Sequence, residues 1–110
     1  MAYDEDLAHR IREQLADESG VTEKAMFGGL AFMLGGNMAV GIIGDELMVR
    51  VGPDAYEEAL ARPHTRVFDM TGRPMRGWVC VAADGVRTKR QVGAWVPRGV
   101  AFARSLPPKG

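Results

Sequence analysis

The pattern of apolar and charged positions changes most sharply between Lys24 and Arg50. No charged residue stands from Ala25 to Gly44, a run about as long as a membrane-spanning helix requires, roughly 20 residues. Glycines interrupt the run, and each would cost a helix roughly 1 kcal/mol relative to alanine. Two segments with turn chemistry divide it, Gly35-Gly36-Asn37 and Gly44-Asp45-Glu46. The sequence therefore predicts a meander of three antiparallel strands, over residues 26–34, 38–43 and 47–51, and no membrane span.

Helical spacing of apolar residues occurs at both ends of the chain. Leu7, Ile11 and Leu15 recur every four residues and predict an amphipathic helix over residues 4–18. Similar spacing predicts a C-terminal helix over residues 88–105. Pro97 falls inside it, so the pattern leaves open a kinked helix or a second helix that begins near Pro97.

The middle of the chain combines a short helix with a hairpin. Gly52-Pro53-Asp54 is typical of a helix start, and Arg62-Pro63 of its end. Strong β-formers predict strands over residues 67–70 and 77–82, joined by a turn at residues 71–74. The predicted fold class is α+β. One domain over residues 1–110 contains an antiparallel sheet of about five strands, packed by an N-terminal, a short middle and a C-terminal helix.

Composition limits the classes of protein. A chain of 110 residues suits one domain with one core. The single cysteine, Cys80, excludes an intramolecular disulfide and a cysteine-based metal cluster. The first residues are acidic where a targeting peptide would be basic. We expect a cytoplasmic protein without a cofactor or membrane segment.

Charge is unevenly distributed although the net charge is zero. Residues 1–58 contain twelve acidic and four basic residues, a net of −8, and residues 59–110 contain ten basic and two acidic residues, a net of +8. This polarity predicts a basic face for nucleic acid or complementary surfaces in an assembly. A third interpretation is that the two halves interleave in the fold and neutralise each other.

Several collinear motifs resemble one family over nearly the whole chain. They include Met26-Phe27-Gly28-Gly29-Leu30-Ala31-Phe32, Gly44-Asp45-Glu46-Leu47-Met48-Val49-Arg50-Val51 and Thr71-Gly72-Arg73-Pro74-Met75-Arg76-Gly77. This set is similar to the N-terminal domain of the TfoX/Sxy family, named for bacterial competence regulators that act with a cyclic-AMP-dependent transcription activator. The resemblance implies a compact α+β domain without known catalytic machinery. The regulators carry a second, helical C-terminal domain, so we expect a single-domain member here.

The basic half supplies the candidate binding residues. Arginine forks bind phosphate or carboxylate with two hydrogen bonds, and an aromatic ring on a sheet can stack a base. The candidates are Arg66, Arg73, Arg76, Arg87, Lys89 and Arg90. The alternative is a solvated turn whose arginines pair with Glu57, Glu58 or Asp69, while Phe68 and Trp78 fill the core.

Catalytic chemistry has little support in the sequence. His64 has no identifiable partner that would make it a base. Cys80 alternates within an apolar strand, which favours a packed thiol over a nucleophile. Met33, Met38 and Met48 fall in the strand region, where they either fill the core or form a pliable contact surface.

We therefore predict a non-enzymatic regulatory or interaction domain that binds a protein partner or, as a homodimer, its own copy. The alternative is a domain that binds nucleic acid or a small anion through its basic C-terminal half.

Overall fold

A computed structural model describes residues 3–26, 28–69 and 74–107 of the chain. The helices are α1 (Glu5–Gln14), α2 (Tyr56–Leu60) and α3 (Lys89–Ser105), and the strands are β1 (Val21–Met26), β2 (Gly29–Leu34), β3 (Asn37–Ile43), β4 (Glu46–Arg50), β5 (Thr65–Asp69) and β6 (Pro74–Val81). Short 3₁₀ turns at Pro53–Ala55 and Ala83–Gly85 precede α2 and α3.

All six strands form one antiparallel sheet in the order β1-β2-β3-β4-β6-β5. The predicted α+β class is confirmed, with one strand more than expected. The additional strand is β1, whose sequence Val21-Thr22-Glu23-Lys24-Ala25 is polar because it lies at the edge of the sheet. The strand predicted over residues 26–34 was wrong at its start, because Gly28, with φ +75°, separates β1 from β2.

The helices all pack on one face of the sheet. A row of cross-strand neighbours on this face, Phe32, Val40, Val49 and Val79, is completely buried. The row meets Leu7 and Ile11 of α1 and Val92, Trp95 and Val96 of α3 in one core. Ala59 of α2 joins the same core.

Side-chain caps fix where the two longer helices begin. The carboxylate of Asp4 accepts hydrogen bonds from the backbone N–H groups of Asp6 and Leu7, at 2.9 and 3.3 Å, before α1. Thr88 and Gln91 form a reciprocal capping box before α3. These caps satisfy N–H groups that the first turn leaves without helical partners.

Helix α3 continues through Pro97 as a single helix. Pro97 is exposed, so the disturbance that it causes faces solvent. Two residues later Gly99 lies against β3, where an added Cβ would stand 2.4 Å from the carbonyl oxygen of Ala39. Only glycine permits this approach, and it sets how closely the helix lies on the sheet.

Candidate interaction surface

The opposite face of the sheet is apolar, and no described helix packs on it. We call this surface the open face. Its apolar side chains are those of Ala31, Met33, Met38, Ile43, Met48, Phe68, Trp78 and Cys80. Met33, Met38, Ile43 and Trp78 remain half-buried, and Ile43 and Trp78 pack against the more deeply buried Met48, Phe68 and Cys80. Large apolar groups are thus presented where a sheet would ordinarily carry polar residues or a second layer.

A row of directly opposed residues crosses the whole open face, and we call it the central row. It contains Lys24, Ala31, Gly41, Met48, Cys80 and Arg66, one residue from each strand. The four residues in the middle of the row have no charge, and each end of the row carries a basic side chain. Lys24 at the exposed edge opposes strand addition there, since edge charges discourage pairing with another chain.

Methionine side chains fill the space above Gly41. A Cβ at this position would lie 2.6 Å from Cε of Met38 and 3.7 Å from Cε of Met48. The flexible thioethers therefore lie flat on the sheet above a residue that has no side chain. Methionine adapts readily to different neighbours, which suits a surface that packs against another molecule.

One polar cluster stands at an end of the open face. The thiol of Cys80 donates to Oε1 of Glu46 over 3.2 Å, and the same carboxylate forms an ion pair with Arg66. Burial and the neighbouring carboxylate raise the pKa of Cys80 to about 12. Cys80 is therefore a protonated, packed thiol at neutral pH. Both contacts of the carboxylate use Oε1 of Glu46, so Oε2 can accept a further donor.

A second charged group stands at the other end of β4. The guanidinium carbon of Arg50 lies 5.5 Å from the ring centroid of Trp78 and 5.2 Å from that of Phe102. A cation is attracted to the face of an aromatic ring, which stabilises it where no carboxylate partner is near. Within the described residues Arg50 forms no ion pair.

An open cleft of about 470 Å³ lies on the helix side between the start of α2 and the end of α3. Val51, Ala55 and Phe102 line it, and Glu58 and Arg98 stand at its mouth. Glu58 accepts from Arg62 and Arg98 together, and these arginines lower its pKa. Among the described residues, the charges at this cleft are paired with each other and leave no cation free for an anion.

The candidate binding residues of the basic half lie on different elements. Arg66 lies on the open face, bound to Glu46, whereas Arg87 precedes α3 and pairs with Asp84 at 2.6 Å. Lys89 and Arg90 are exposed in the first turn of α3, and Arg76 is exposed on β6. Arg73 lies outside the described residues.

Ion pairs also connect the acidic and basic halves of the chain. Arg98 binds Glu58, Arg66 binds Glu46 and Arg104 binds Glu18. These contacts correspond to the interleaved interpretation of the charge polarity. His64, at φ +67°, lies beside Gly85 and lines a shallow pocket of about 290 Å³ with Trp95.

The fold and the open face define a compact α+β domain with one helical layer and one apolar sheet surface. The sequence profile of the TfoX N-terminal domain matches residues 13–103. The chain belongs to this family, which confirms the resemblance inferred from its motifs. Neither the curated proteins nor the solved structures contain a match.

In the part of the chain that the structure describes, no helix is long and apolar enough to cross a membrane. In that same part of the chain, no three His, Cys, Asp or Glu side chains are grouped in a way that could hold a metal ion.

Sequence reasoning placed the methionines in the strands but did not assign them to the open face. The alternation Glu46-Leu47-Met48-Val49-Arg50 contained that information, because residues two apart share a face of a strand. The pairing of Glu46 with Arg66 and Cys80 carried no sequence signal. These residues lie on three strands whose register only the sheet defines.

Proposed function

We propose that this TfoX-family domain is a non-enzymatic interaction module that binds a protein surface through the open face. The observation that carries the proposal is the group of half-buried apolar side chains on the open face, which no described helix covers. Covering Met33, Met38, Ile43 and Trp78 would remove apolar surface from water, at about 25 cal/mol per Å². Burial of this kind drives most protein association.

The chemistry of the open face supports binding without catalysis. Its thiol is protonated, and Oε1 of its carboxylate already accepts from Arg66 and Cys80. A nucleophile or general base needs a group that is free to take or give a proton near neutral pH. Cys80 does not meet that requirement in this arrangement.

A regulatory role in the cytoplasm is part of the proposal. Cys80 is a free, buried thiol, which is the state that a reducing compartment maintains. Regulatory domains act by docking, and the open face offers an apolar centre bordered by Lys24, Arg50 and Arg66. Apolar centres with polar rims are typical of protein interfaces.

Site-specific photo-crosslinking in living cells tests the docking surface. A benzophenone side chain at Met33 or Ile43 should give one dominant crosslinked protein. The same group at Ala61 or Ala94, which are exposed on the helix side, should give little product and serves as the matched control. Crosslinks at the helix positions but none at the open face would refute the proposed surface.

A ligand screen tests the non-enzymatic part separately. Nucleotides and S-adenosylmethionine should leave the melting temperature unchanged, because a ligand that binds the native state raises it by mass action. A saturable, concentration-dependent increase with either compound would argue for a cofactor site and against this part of the proposal.

A further inference from the structure

We infer that the partner of the open face is a second copy of this chain, stacked face to face with antiparallel β4 strands. This inference rests on the proposed docking function and adds the partner and its register. It depends on which residues lie on either side of the central row along each strand.

Consider a two-fold axis that runs along the central row, between two copies. Rotation about this axis keeps each strand above its own counterpart and reverses its direction. Residues two positions before the row then oppose residues two positions after it. On β4 the row residue is Met48, so Glu46 of each copy faces Arg50 of the other.

The charges on β4 favour this arrangement over the alternatives. Arg50 is a half-buried cation that forms no ion pair within the described residues, and Glu46 is the acidic residue on the same face of the same strand. An axis parallel to the strands and running along β4 would place Glu46 on Glu46 and Arg50 on Arg50. Like charges in contact across an interface disfavour that stacking.

Side-chain size shows the same complementarity on the neighbouring strands. On β2, Met33 would face Gly29 of the other copy, a large residue against one with no side chain. On β3 a bulge opposite Met33 puts Met38, in place of Ala39, on the open face. Ile43 would therefore face Met38, so two flexible or branched apolar groups meet. Stacked sheets cross at about 30°, which displaces residues about 7 Å from the axis by only about 4 Å. The long side chains of these pairs span such a displacement.

The dimensions of the sheet set the expected strength. Six strands about 4.8 Å apart and about 20 Å long give a face of roughly 500 Å² per copy. Two copies would bury about 1,000 Å², near the lower bound of specific interfaces. We therefore expect a reversible dimer that forms in the micromolar range and dissociates on dilution.

Sedimentation velocity on the full chain, from about 1 to 500 μM, tests the partner. The wild type should pass from the mass of one chain to that of two. Glu46→Arg and Arg50→Glu should each weaken the dimer at least tenfold, since both create like-charge contacts. Glu57→Arg and Arg90→Glu reverse exposed charges on the helix side and serve as matched controls that leave dimerisation intact.

Mixing the two charge-reversed proteins provides the decisive result. In a mixed dimer the two substituted side chains face each other with opposite charges. The native Arg50 of the Glu46→Arg protein likewise faces the native Glu46 of the Arg50→Glu protein. A heterodimer should therefore form where neither variant dimerises alone. A wild type that stays monomeric throughout would overturn the second copy as partner, and a dimer that both reversals leave unchanged would overturn the register.

Methyl NMR tests the register without any substitution. Cε of Met38 reaches over Gly41, two residues from Ile43 on the same strand, so the experiment must separate contacts between copies from contacts within a copy. In a sample mixed from two differently labelled copies, a cross-peak between their methyl groups is expected. Its absence in a dimer would reject the antiparallel stacking. Photo-crosslinks from the open face to another protein, with no self-association, would keep the proposed function and discard this inference.

Discussion

The thiol of Cys80 on β6 donates a hydrogen bond to Oε1 of Glu46 on β4, over 3.2 Å. The two residues stand on neighbouring strands near one end of the open face. Arg66 binds the same carboxylate from β5. Polar contacts therefore connect strands β4, β6 and β5, and Cys80 has a structural role in them.

The first prediction concerns the reactivity of Cys80. Because its pKa is raised to about 12 and the side chain is only 2% exposed, native protein should react with iodoacetamide at pH 8 far more slowly than protein unfolded in urea. Mass spectrometry of alkylated protein measures both rates. Equal rates in the two states would contradict a buried, protonated thiol.

The same shift predicts how stability depends on pH. The folded state holds the Cys80 proton up to about pH 12, whereas the ordinary value is 9.0. The contribution of the Cys80 thiol to the free energy of unfolding is complete below about pH 9. It decreases as the pH rises towards 12, since the folded state then binds more protons than the unfolded state. Cys80→Ala should show a shallower loss of unfolding free energy between pH 8.5 and 10.5. Parallel curves would refute the assignment.

A second prediction concerns the contact between α3 and β3. Gly99→Ala should destabilise the domain by about 1–3 kcal/mol, because the new Cβ would meet the Ala39 carbonyl oxygen at 2.4 Å. Gly93→Ala in the same helix is the matched control. Its Cβ would meet only the flexible end of Gln14, at 3.2 Å, so the gain in helix propensity should leave stability unchanged or increased. Urea denaturation that ranked the two variants equally would contradict the close approach.

A third prediction concerns Asn37, which is 3% exposed and donates from Nδ2 to the carbonyl oxygen of Pro107 at 2.9 Å. Asn37→Ala should cost about 1–3 kcal/mol, because the bond is lost in a buried site. Asn37→Asp should cost more at pH 7, since a buried carboxylate would face a carbonyl oxygen. Burial would raise the pKa of that new carboxyl, so the gap between the two variants should narrow as the pH falls from 7 to 5. A gap independent of pH would argue against the contact.

A fourth prediction concerns the start of α3. The Thr88 hydroxyl accepts from the Gln91 backbone N–H at 3.1 Å, and the Gln91 side chain accepts from the Thr88 backbone N–H at 3.1 Å. Thr88→Ala should lower the unfolding free energy by about 1 kcal/mol. Thr88→Ser keeps the hydroxyl and should cost much less. Similar losses for alanine and serine in chemical denaturation would show that the capping bond contributes little.

Local chemistry made much of the fold predictable. The spacing of Leu7, Ile11 and Leu15 predicted α1, and the turn glycines around Asn37 predicted the meander. The edge strand β1 was missed, because edge strands lack the apolar alternation that burial on one face imposes. The sequence did not predict the ion-pair partners of Arg66 and Arg87, because these pairs depend on which strands and turns lie side by side.

The sequence alone determined the family, the α+β class and the presence of methionines in the strands, because motifs, periodicity and turn chemistry are local properties. Only the tertiary structure decided which face those methionines occupy, that Glu46, Arg66 and Cys80 meet, and that Arg50 lies beside Trp78 and Phe102. These relations depend on strand order and register across the sheet. Register is set by the joint burial of one face by all six strands and the helices, which no short segment specifies.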